Sequence, residues 1–597
     1  MLILRQNQEV RLVRKFLNSP FFVTLGKLLM ILTAREKAIF YKIVVLTTFG
    51  VLLEMFSVVM ILPIMGQLTG NPVSVKLAIF QSAINYVHQL SPEKALIIEI
   101  LLLIVIVLIK NAYLAWLAYE QSSFGHRVQS RISSQLFKNY LYQPFHYHTH
   151  HNSSLLIRNC IHEANQFNQF VILPSFTIIS ETFLIVGLSL LLVFFQPYFT
   201  LINGTLLGVS FLLFNRITGK KILDWGHKKL ASEGKRIQLI QQGLGAIKEV
   251  KLRQSEGYFL NIYDVYNKES AHTGHLYNAL QQMPRLFLEI LLYAGLLLLV
   301  ILTIITESNV ANLVTALGLF AAAVYKLMPS ANKVSTSYQS MKISMPSMDN
   351  FIAELNLEGT SSRSEADKGS IFELKSTLEL NDISFYYSSD KVGILQQVSL
   401  TINKGDCIGF FGESGSGKST LINIILGLLP PQNGTISIDG VDIRQDMPGW
   451  QKNIGYVSQN IYLIDDSIRR NIAFGLPDDL IDDRAVFSAI QKAQLNEFIE
   501  SLPNGLDTFT GERGVRLSGG QIQRIGIARA LYHNPEVLVL DEATSALDYS
   551  TESGIMDAIE NLHGTKTIII VAHRLSTLDK CDRLYKLDDG KLTLEKN

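Results

Sequence analysis

The sequence predicts a polytopic α-helical membrane domain followed by an α/β domain. Three observations carry that prediction. Six long apolar runs, Ile39–Leu68, Ala95–Ala118, Phe170–Phe195, Tyr198–Phe214, Leu286–Ile305 and Val310–Leu327, all precede residue 330. A polar, Ser/Gly-rich stretch, Leu357–Ser370 (LEGTSSRSEADKGS), comes next and reads as a linker. Beyond it the pattern becomes strands, turns and helices: LELNDISFYY, VSLTI, CIGFFG, ISIDG and VLVLDEA. Such alternation predicts an α/β domain around a mixed or parallel sheet.

A membrane-crossing helix needs about 20 mostly apolar residues to cover roughly 30 Å of hydrocarbon. The six runs meet or approach that length, and Leu286–Ile305 carries one charge, Glu289, in twenty residues. A buried helix of a soluble core rarely stays apolar on every face for so long. Composition agrees: of 597 residues, 48% are hydrophobic and 18% charged, against about 25% charged in soluble domains, and mean hydropathy is +0.22. These numbers exclude a disordered chain and argue against a wholly soluble protein. With 53 Lys+Arg against 52 Asp+Glu the net charge is +1, which gives no basis for a nucleic-acid partner held by bulk charge. Cys160, Cys407 and Cys581 are too far apart in sequence for a disulfide framework or a zinc site.

Element by element, residues 1–37 read as a cytoplasmic N-terminus. It is basic (Arg5, Arg11, Arg14, Lys15, Lys27, Arg35, Lys37) and lacks the apolar core and small-residue cleavage site of a secretory signal. Pro20–Leu32 is apolar but short, and is expected to lie along the inner membrane face. Residues 38–345 form the six-span domain. Basic residues concentrate between spans four and five (Arg216 to Lys268) and between spans two and three (Arg127, Arg131, Lys138, Arg158), while only Lys76 and Lys94 separate spans one and two. The positive-inside rule therefore puts both termini and the second and fourth connections in the cytoplasm of a cell inner (plasma) membrane. Those connections are long, with polar residues at helical spacing, so the membrane helices are expected to continue into the cytoplasm and to carry short transverse helices. Residues 346–375 are the linker and 376–597 the α/β domain. The tract Phe145–His151 (FHYHTHH) holds His146, His148, His150 and His151. Without a nearby carboxylate or thiol it reads first as a polar loop and only second as a metal tract.

Chemistry concentrates in the last domain. Gly412–Ser419 reads Gly-Glu-Ser-Gly-Ser-Gly-Lys-Ser, between the strand-like Cys407–Phe411 and the helix-forming Leu421–Leu428. This is the phosphate-loop pattern. Glycines let Gly412, Glu413, Ser414, Gly415, Ser416, Gly417 and Thr420 turn backbone N–H groups toward phosphate oxygens at a helix N-terminus. Lys418 is expected to reach the β- and γ-phosphates and Ser419 to ligate Mg²⁺. Val537–Glu542 (VLVLDE) is a buried strand ending in two carboxylates, at the strand end where open α/β sheets bind ligands. Asp541 is expected to hold Mg²⁺ through water, and Glu542 to polarise the attacking water as general base.

Leu517–Gln521 reads Leu-Ser-Gly-Gly-Gln ahead of a helical run. With the phosphate loop, Asp541-Glu542 and His573, in this order, it resembles the nucleotide-binding domain of ATP-binding cassette (ABC) proteins. Six spans, a linker and one cassette resemble an ABC exporter half-transporter, over essentially the whole chain. The resemblance implies ATP and Mg²⁺ as ligands, and roles for further residues. Tyr387 matches the aromatic that stacks on adenine, with Tyr386 as a rival; Gln459 matches the glutamine that senses Mg²⁺. Gly511-Glu512 resembles the loop that contacts a partner subunit. Ser545-Ala546-Leu547-Asp548 matches the loop crossing the dimer interface, and His573 the histidine holding the γ-phosphate and catalytic glutamate in register. Ser518, Gly519, Gly520 and Gln521 open a helix, an anion site that in the family meets the other subunit's nucleotide. The implied unit is a dimer with two composite ATP sites: a homodimer, since Lys418, Glu542, His573 and the signature are intact, or a heterodimer.

Charges inside spans are costly and are candidates for function: Glu54, Glu99, Glu181, Arg285, Glu289 and Lys326. Arg285 and Glu289 are spaced to pair on one helix face, and Glu99 lies near the outer end of span two. Arg285 and Lys326 fall near the inner leaflet, where two subunits would offer four basic groups to an anionic headgroup or simply snorkel. The segments Asn152–Asn159, Gly243–Leu252 and Lys326–Ser330 resemble the membrane domain of bacterial lipid-linked oligosaccharide flippases. That resemblance implies an ATP-driven exporter that flips a lipid-linked saccharide or related amphipathic lipid. An exporter of peptides or drugs is the alternative, and an ATP-gated channel or regulator a third class.

Overall fold

The structure is a computed structural model that describes residues 20–60, 64, 92–195, 197–305, 310–357, 373–387, 393–542, 554, 556–557, 559–572 and 574–596. The chain divides into two compact units, one built from 1–143 and 150–360 and the other from 144–149 and 361–597.

The first unit is helical. Helix α1 (Pro20–Ile31) is followed by α2 (Ala34–Val59), α3 (Pro92–Leu141), α4 (Leu173–Phe195), α5 (Pro197–Gly245), α6 (Glu256–Ile305) and α7 (Val310–Leu355). Thr33 and Glu36 form a reciprocal capping box at the start of α2, as Thr-x-x-Glu predicts. Helices α3 and α6 have 50 residues each, about 75 Å at 1.5 Å per residue. That is more than twice a bilayer's hydrocarbon thickness, so the expected extensions are present. The short helix Ile247–Leu252 precedes α6 in the chain; the short helix Phe145–His150, in the second unit, holds most of the histidine tract. Among the described residues no cluster of three or more His, Cys, Asp or Glu could hold a metal.

Three helical stretches are long and apolar enough to cross a membrane among the described residues: Ala34–Val59, Glu93–Leu141 and Ser153–Val193. The other three expected spans fall within α5, α6 and α7, whose side chains there are only partly described. Ahead of α4 the chain is helical from Ser153 and passes through two π-helical turns, Asn159–Glu163 and Asn168–Ile172. α2 packs on α3 and α4, and α7 on α4, α5 and α6. Glycine decides one of these contacts: a Cβ at Gly226 of α5 would stand 2.4 Å from the Ile343 carbonyl of α7. α1 packs against α7, burying Thr24 and Leu28, and Lys27 pairs with Asp349.

Helix α7 ends at Leu355, just ahead of the Ser/Gly-rich stretch Leu357–Ser370, so residues 346–355, placed in the linker by the expected boundary of 346–375, are helix rather than connection. Pro346 is accommodated inside it, since a helix already built by packing can absorb one missing N–H.

The second unit carries two sheets. A six-stranded sheet has the order β10-β9-β3-β8-β7-β6, with β3 (Cys407–Phe411), β6 (Ile454–Val457), β7 (Val537–Asp541), β8 (Thr567–Val571), β9 (Arg583–Asp588) and β10 (Lys591–Lys596). All neighbours are parallel except β10 on β9. β7 and β8 are buried at every residue, which is why they read as unbroken apolar runs. An antiparallel sheet of order β2-β1-β4-β5 contains β1 (Thr377–Phe385), β2 (Leu395–Asn403), β4 (Asn433–Ile438) and β5 (Val441–Asp442). Helix α8 (Lys418–Ile425) packs between the sheets, with Leu421, Ile422, Ile424 and Ile425 in the core. Trp450, fully buried, donates from Nε1 to the Ile425 carbonyl at 2.7 Å, giving one of that helix's last carbonyls a partner. Cys407 and Cys581, remote in sequence, are free thiols whose sulfurs lie 3.3 Å apart.

Candidate functional site

The phosphate loop leaves the C-terminal end of β3 and enters α8 through three glycines with positive φ: Gly412 (152°), Gly415 (86°) and Gly417 (103°). Gly412 is also confined by space, since a Cβ there would stand 2.2 Å from the Leu587 carbonyl of β9. No side chain caps α8 at Gly417, so the first N–H groups of the helix are left to an anion. Lys418 is buried and folds back, its Nζ donating to the carbonyls of Gly412 (2.9 Å) and Glu413 (2.7 Å). Burial lowers its pKa, opposed by the charges of Glu542 and Asp541. Ser419 is exposed and Thr420 buried. The Tyr387 hydroxyl lies 3.2 Å from Thr420 Oγ1, with its ring edge-on to Phe385. Tyr386 instead exchanges backbone hydrogen bonds with the Gln432 amide.

Sheet register brings the carboxylates to this loop. In parallel pairing Val457 lies opposite Leu540, so Gln459, two residues past Val457, arrives beside Glu542. Its Nε2 donates to Glu542 Oε2 at 2.5 Å. Glu542 has φ 50°, a left-handed conformation uncommon for a non-glycine residue, and its N–H donates to the Val571 carbonyl of β8 at 2.9 Å. Asp541 is buried. Burial first, and the neighbouring Glu542 charge second, raise its pKa. Tyr456 donates to Asp541 Oδ2 at 3.4 Å, and burial pushes that phenol up to about 12.

Helix α9 (Gly519–Leu531) opens at the Leu-Ser-Gly-Gly-Gln turn with a capping box. Ser518 N–H donates to Gln521 Oε1 at 2.8 Å, and Gln521 N–H donates to Ser518 Oγ at 3.3 Å. Ser518 and Gly519 are exposed, and no hydrogen bond links the turn to the phosphate loop among the described residues. Asp548, the rest of Ser545–Asp548, and His573 lie outside the described residues.

The structure thus brings together Tyr387, the phosphate loop, Gln459, Asp541 and Glu542, and leaves the signature turn apart. Tyr456 is a site residue that the sequence reading passed over; the parallel β6–β7 pairing that places it is not visible in sequence. The hydroxyl of Ser419, the amide oxygen of Gln459 and the carboxylate of Asp541 are hard oxygen donors. They are too few for an all-protein cage, which suits Mg²⁺ completing its shell with phosphates and water.

In the helical unit, Lys326 pairs with Glu54 at 2.6 Å and Lys333 with Glu181 at 2.6 Å. These four side chains line a cavity of about 340 Å³. A second cavity of about 380 Å³, lined by Phe211, Phe214, Phe287 and Leu288, is apolar. Arg285 is exposed and does not join Lys326, and it forms no ion pair with Glu289 among the described residues. Glu99 is buried away from the pocket. One basic residue of the pocket was missed: Lys333, which lies past the apolar run.

Comparison with known proteins agrees with this geometry. Residues 29–327 match the ABC transporter transmembrane region, and residues 395–545 match the ABC transporter family. The chain is 30% identical over 482 residues to a protein of Saccharophagus degradans named ATP-dependent lipid A-core flippase, covering 79% of each chain. It is 29% identical to a Francisella novicida protein of the same name, over 79% of this chain and 80% of that one. A bacterial Atm1-family ABC exporter solved with ATP bound superposes with a TM-score of 0.76 over 94% of both chains, at 20% identity. The chain therefore belongs to the ABC transporter family, as an exporter half-transporter that joins a transmembrane domain and an ATP-hydrolysing cassette in one polypeptide.

Proposed function

We propose that this ABC exporter flips or exports a lipid-linked oligosaccharide or a related amphipathic lipid, working as a homodimer in the cell inner membrane with both termini and the cassettes cytoplasmic. The observation that carries the lipid half is the ion-paired pocket of Glu54, Glu181, Lys326 and Lys333, set among apolar helices. Each unsatisfied polar group in hydrocarbon costs several kcal/mol, so a headgroup with many hydroxyls does not cross unaided, and a polar pocket at membrane depth offers it partners. The name shared by the two relatives supports a lipid substrate.

In the ATP half, the loop Gly412–Thr420 cradles the phosphates and Tyr387 stacks on the base. Lys418 exchanges its carbonyl partners for phosphate oxygens. Ser419, Gln459 and Asp541 hold Mg²⁺, which offsets phosphate charge when bound. Glu542, oriented by Gln459, takes the proton of the attacking water, and His573 keeps the γ-phosphate in register. The exposed Ser518–Gln521 turn closes on the nucleotide of a second copy, with Asp548 at the interface. Because ATP adds contacts only in the closed dimer, its binding shifts the population toward closure, and hydrolysis removes the bridge.

Reconstitution in liposomes tests the reading. Lipid-linked oligosaccharide should be translocated and should change the ATPase rate. If it does neither, while a peptide or drug does both, the lipid reading is wrong.

A further inference from the structure

We propose that the apolar cavity among α4, α5, α6 and α7 is a binding site for one ester-linked acyl chain of a bilayer lipid, a resident lipid distinct from the one transported.

Four helices wall the cavity, with Ile185 of α4, Phe211 and Phe214 of α5, Phe287 of α6 and Leu327 of α7 among its apolar residues. On α5 the lining runs from Gly204 to Phe214, about 15 Å at 1.5 Å per residue. A volume of about 380 Å³ over that length is a channel about 5–6 Å across, wider than one hydrocarbon chain and too narrow for two, since carbon atoms touch at about 3.5–4.0 Å. It holds about a dozen carbon atoms at roughly 30 Å³ each, the share of a water molecule of similar size. Glycine keeps it open. Gly204 and Gly208 stand one turn apart, a spacing that in membrane helices usually draws a second helix into contact. Here a Cβ at either would meet nothing within 4 Å, so among the described residues no side chain takes up the groove.

The cavity has a polar end. Thr182 lies thirteen residues before the end of α4 at Phe195, and Ser210 thirteen after the start of α5 at Pro197. These helices are antiparallel neighbours, so the two hydroxyls, both lining the cavity, share a level. Ser210 is 9% exposed, and its hydroxyl has no partner among the described residues. Thr218 on the same helix, by contrast, donates to the Phe214 carbonyl at 2.8 Å, the usual bond four residues back. A buried hydroxyl without an acceptor is unfavourable. Lipid chains are as apolar as leucine, so packing alone does not select a ligand from the membrane, and the hydroxyl does. It calls for one acceptor on an otherwise apolar chain, which an ester carbonyl supplies. The carbonyl lies at the Ser210 level, and the chain runs past Gly208 and Gly204. A polyprenyl chain offers no such acceptor, and its methyl branches overfill a channel of this width.

The cavity is separate from the ion-paired pocket. Glu181, Lys326 and Lys333 line the pocket, while their next neighbours in sequence, Thr182, Leu327 and Val334, line the cavity, about 100° further round each helix. The packed pair α4 and α7 therefore stands between the two. A lipid whose headgroup occupies the pocket cannot lay its chain in the cavity, which assigns the chain to a second lipid.

The test uses the full chain in phosphatidylcholine nanodiscs doped with phosphatidylcholine that carries a diazirine in an ester-linked chain, with crosslinked peptides read by mass spectrometry. Label should collect on Thr182–Ser189 and Gly204–Phe214, above the level on the exposed apolar residues of α3 between Leu101 and Leu108. Gly204→Leu/Gly208→Leu should bring it down to that level and leave α3 unchanged; the leucines enter open space. Ser210→Ala should lower the label about three- to tenfold, the worth of one hydrogen bond. An ether-linked probe, lacking the carbonyl, should label the wild type at the lower level and lose nothing further in Ser210→Ala, whereas a serine with only a structural role would lower both probes alike. Label no higher than on α3, or unchanged in the double glycine variant, overturns the site. Equal loss of both probes in Ser210→Ala overturns the carbonyl assignment. Glu54→Gln/Lys326→Met, which disrupts the ion-paired pocket, should leave the label unchanged. Loss there would assign the chain to the transported lipid and overturn the resident one.

Discussion

Replacing Gly412 by alanine, beside the same change at Gly415, separates two ways in which a phosphate loop depends on glycine. Both residues have positive φ, 152° and 86°, and an L-residue forced into left-handed backbone costs about 1–2 kcal/mol. Only Gly412 is also confined. Its Cβ would stand 2.2 Å from the Leu587 carbonyl, whereas a Cβ at Gly415 meets nothing within 4 Å. Gly415→Ala therefore carries conformational strain alone. If the empty loop relaxes fully, ATP affinity falls by that strain, about 5- to 30-fold at 1.4 kcal/mol per decade. Gly412→Ala must also open the loop from β9 by about 0.8 Å or more to bring the contact to 3.0 Å, below which Cβ atoms are essentially never found. A shift of that size misplaces the N–H groups aimed at phosphate. Losing two charge-assisted hydrogen bonds, at about 1.5–3 kcal/mol each, weakens ATP by more than a hundredfold. The assay is titration of the detergent-solubilised chain with a fluorescent ATP analogue, with the thermal transition checking that both variants fold. Equal affinities for the two variants would refute the argument that the β9 carbonyl fixes the loop.

Glu542→Gln should lower ATP turnover by about 10²–10⁴-fold, the usual worth of a general base, while ATP still binds and closed dimers accumulate; wild-type turnover would remove it from that role. Coexpression of Lys418→Met chains with Ser518→Arg chains, each inactive alone, should restore ATPase activity in mixed dimers, because one phosphate loop then faces one intact signature. No recovery would count against composite sites. Asp439 accepts three backbone N–H bonds, from Lys375, Ser376 and Thr377, each at 2.8 Å. Burial alone would raise its carboxyl, but those donors hold it below the ordinary 3.8. Its stabilising contribution is thus present above that pH and fades as acid protonates it. Asp439→Ala should lower the cassette's Tm at neutral pH, and the gap should close below pH 3.8; a constant gap would contradict the assignment.

The fold class and the nucleotide chemistry were legible in the sequence because both are local. A run of apolar residues as long as a bilayer is thick has few other uses, and a phosphate loop is one contiguous turn between a strand and a helix. The strand Val537–Asp541 announced itself by being apolar throughout, since a parallel strand is covered on both faces. Element ends were less legible. α7 runs through residues 346–355, which the expected boundary of 346–375 had assigned to the linker.

What the sequence could not supply was which distant residues meet. Gln459 reaches Glu542 only because β6 lies beside β7 in parallel register. Lys326 and Glu54 looked like separate intramembrane charges until helix packing joined them. The sequence by itself determined the materials: six membrane helices, a phosphate loop and a carboxylate pair on a strand end. Tertiary structure alone decided their pairing, because strand order, register and helix contacts join residues hundreds of positions apart that no local pattern relates.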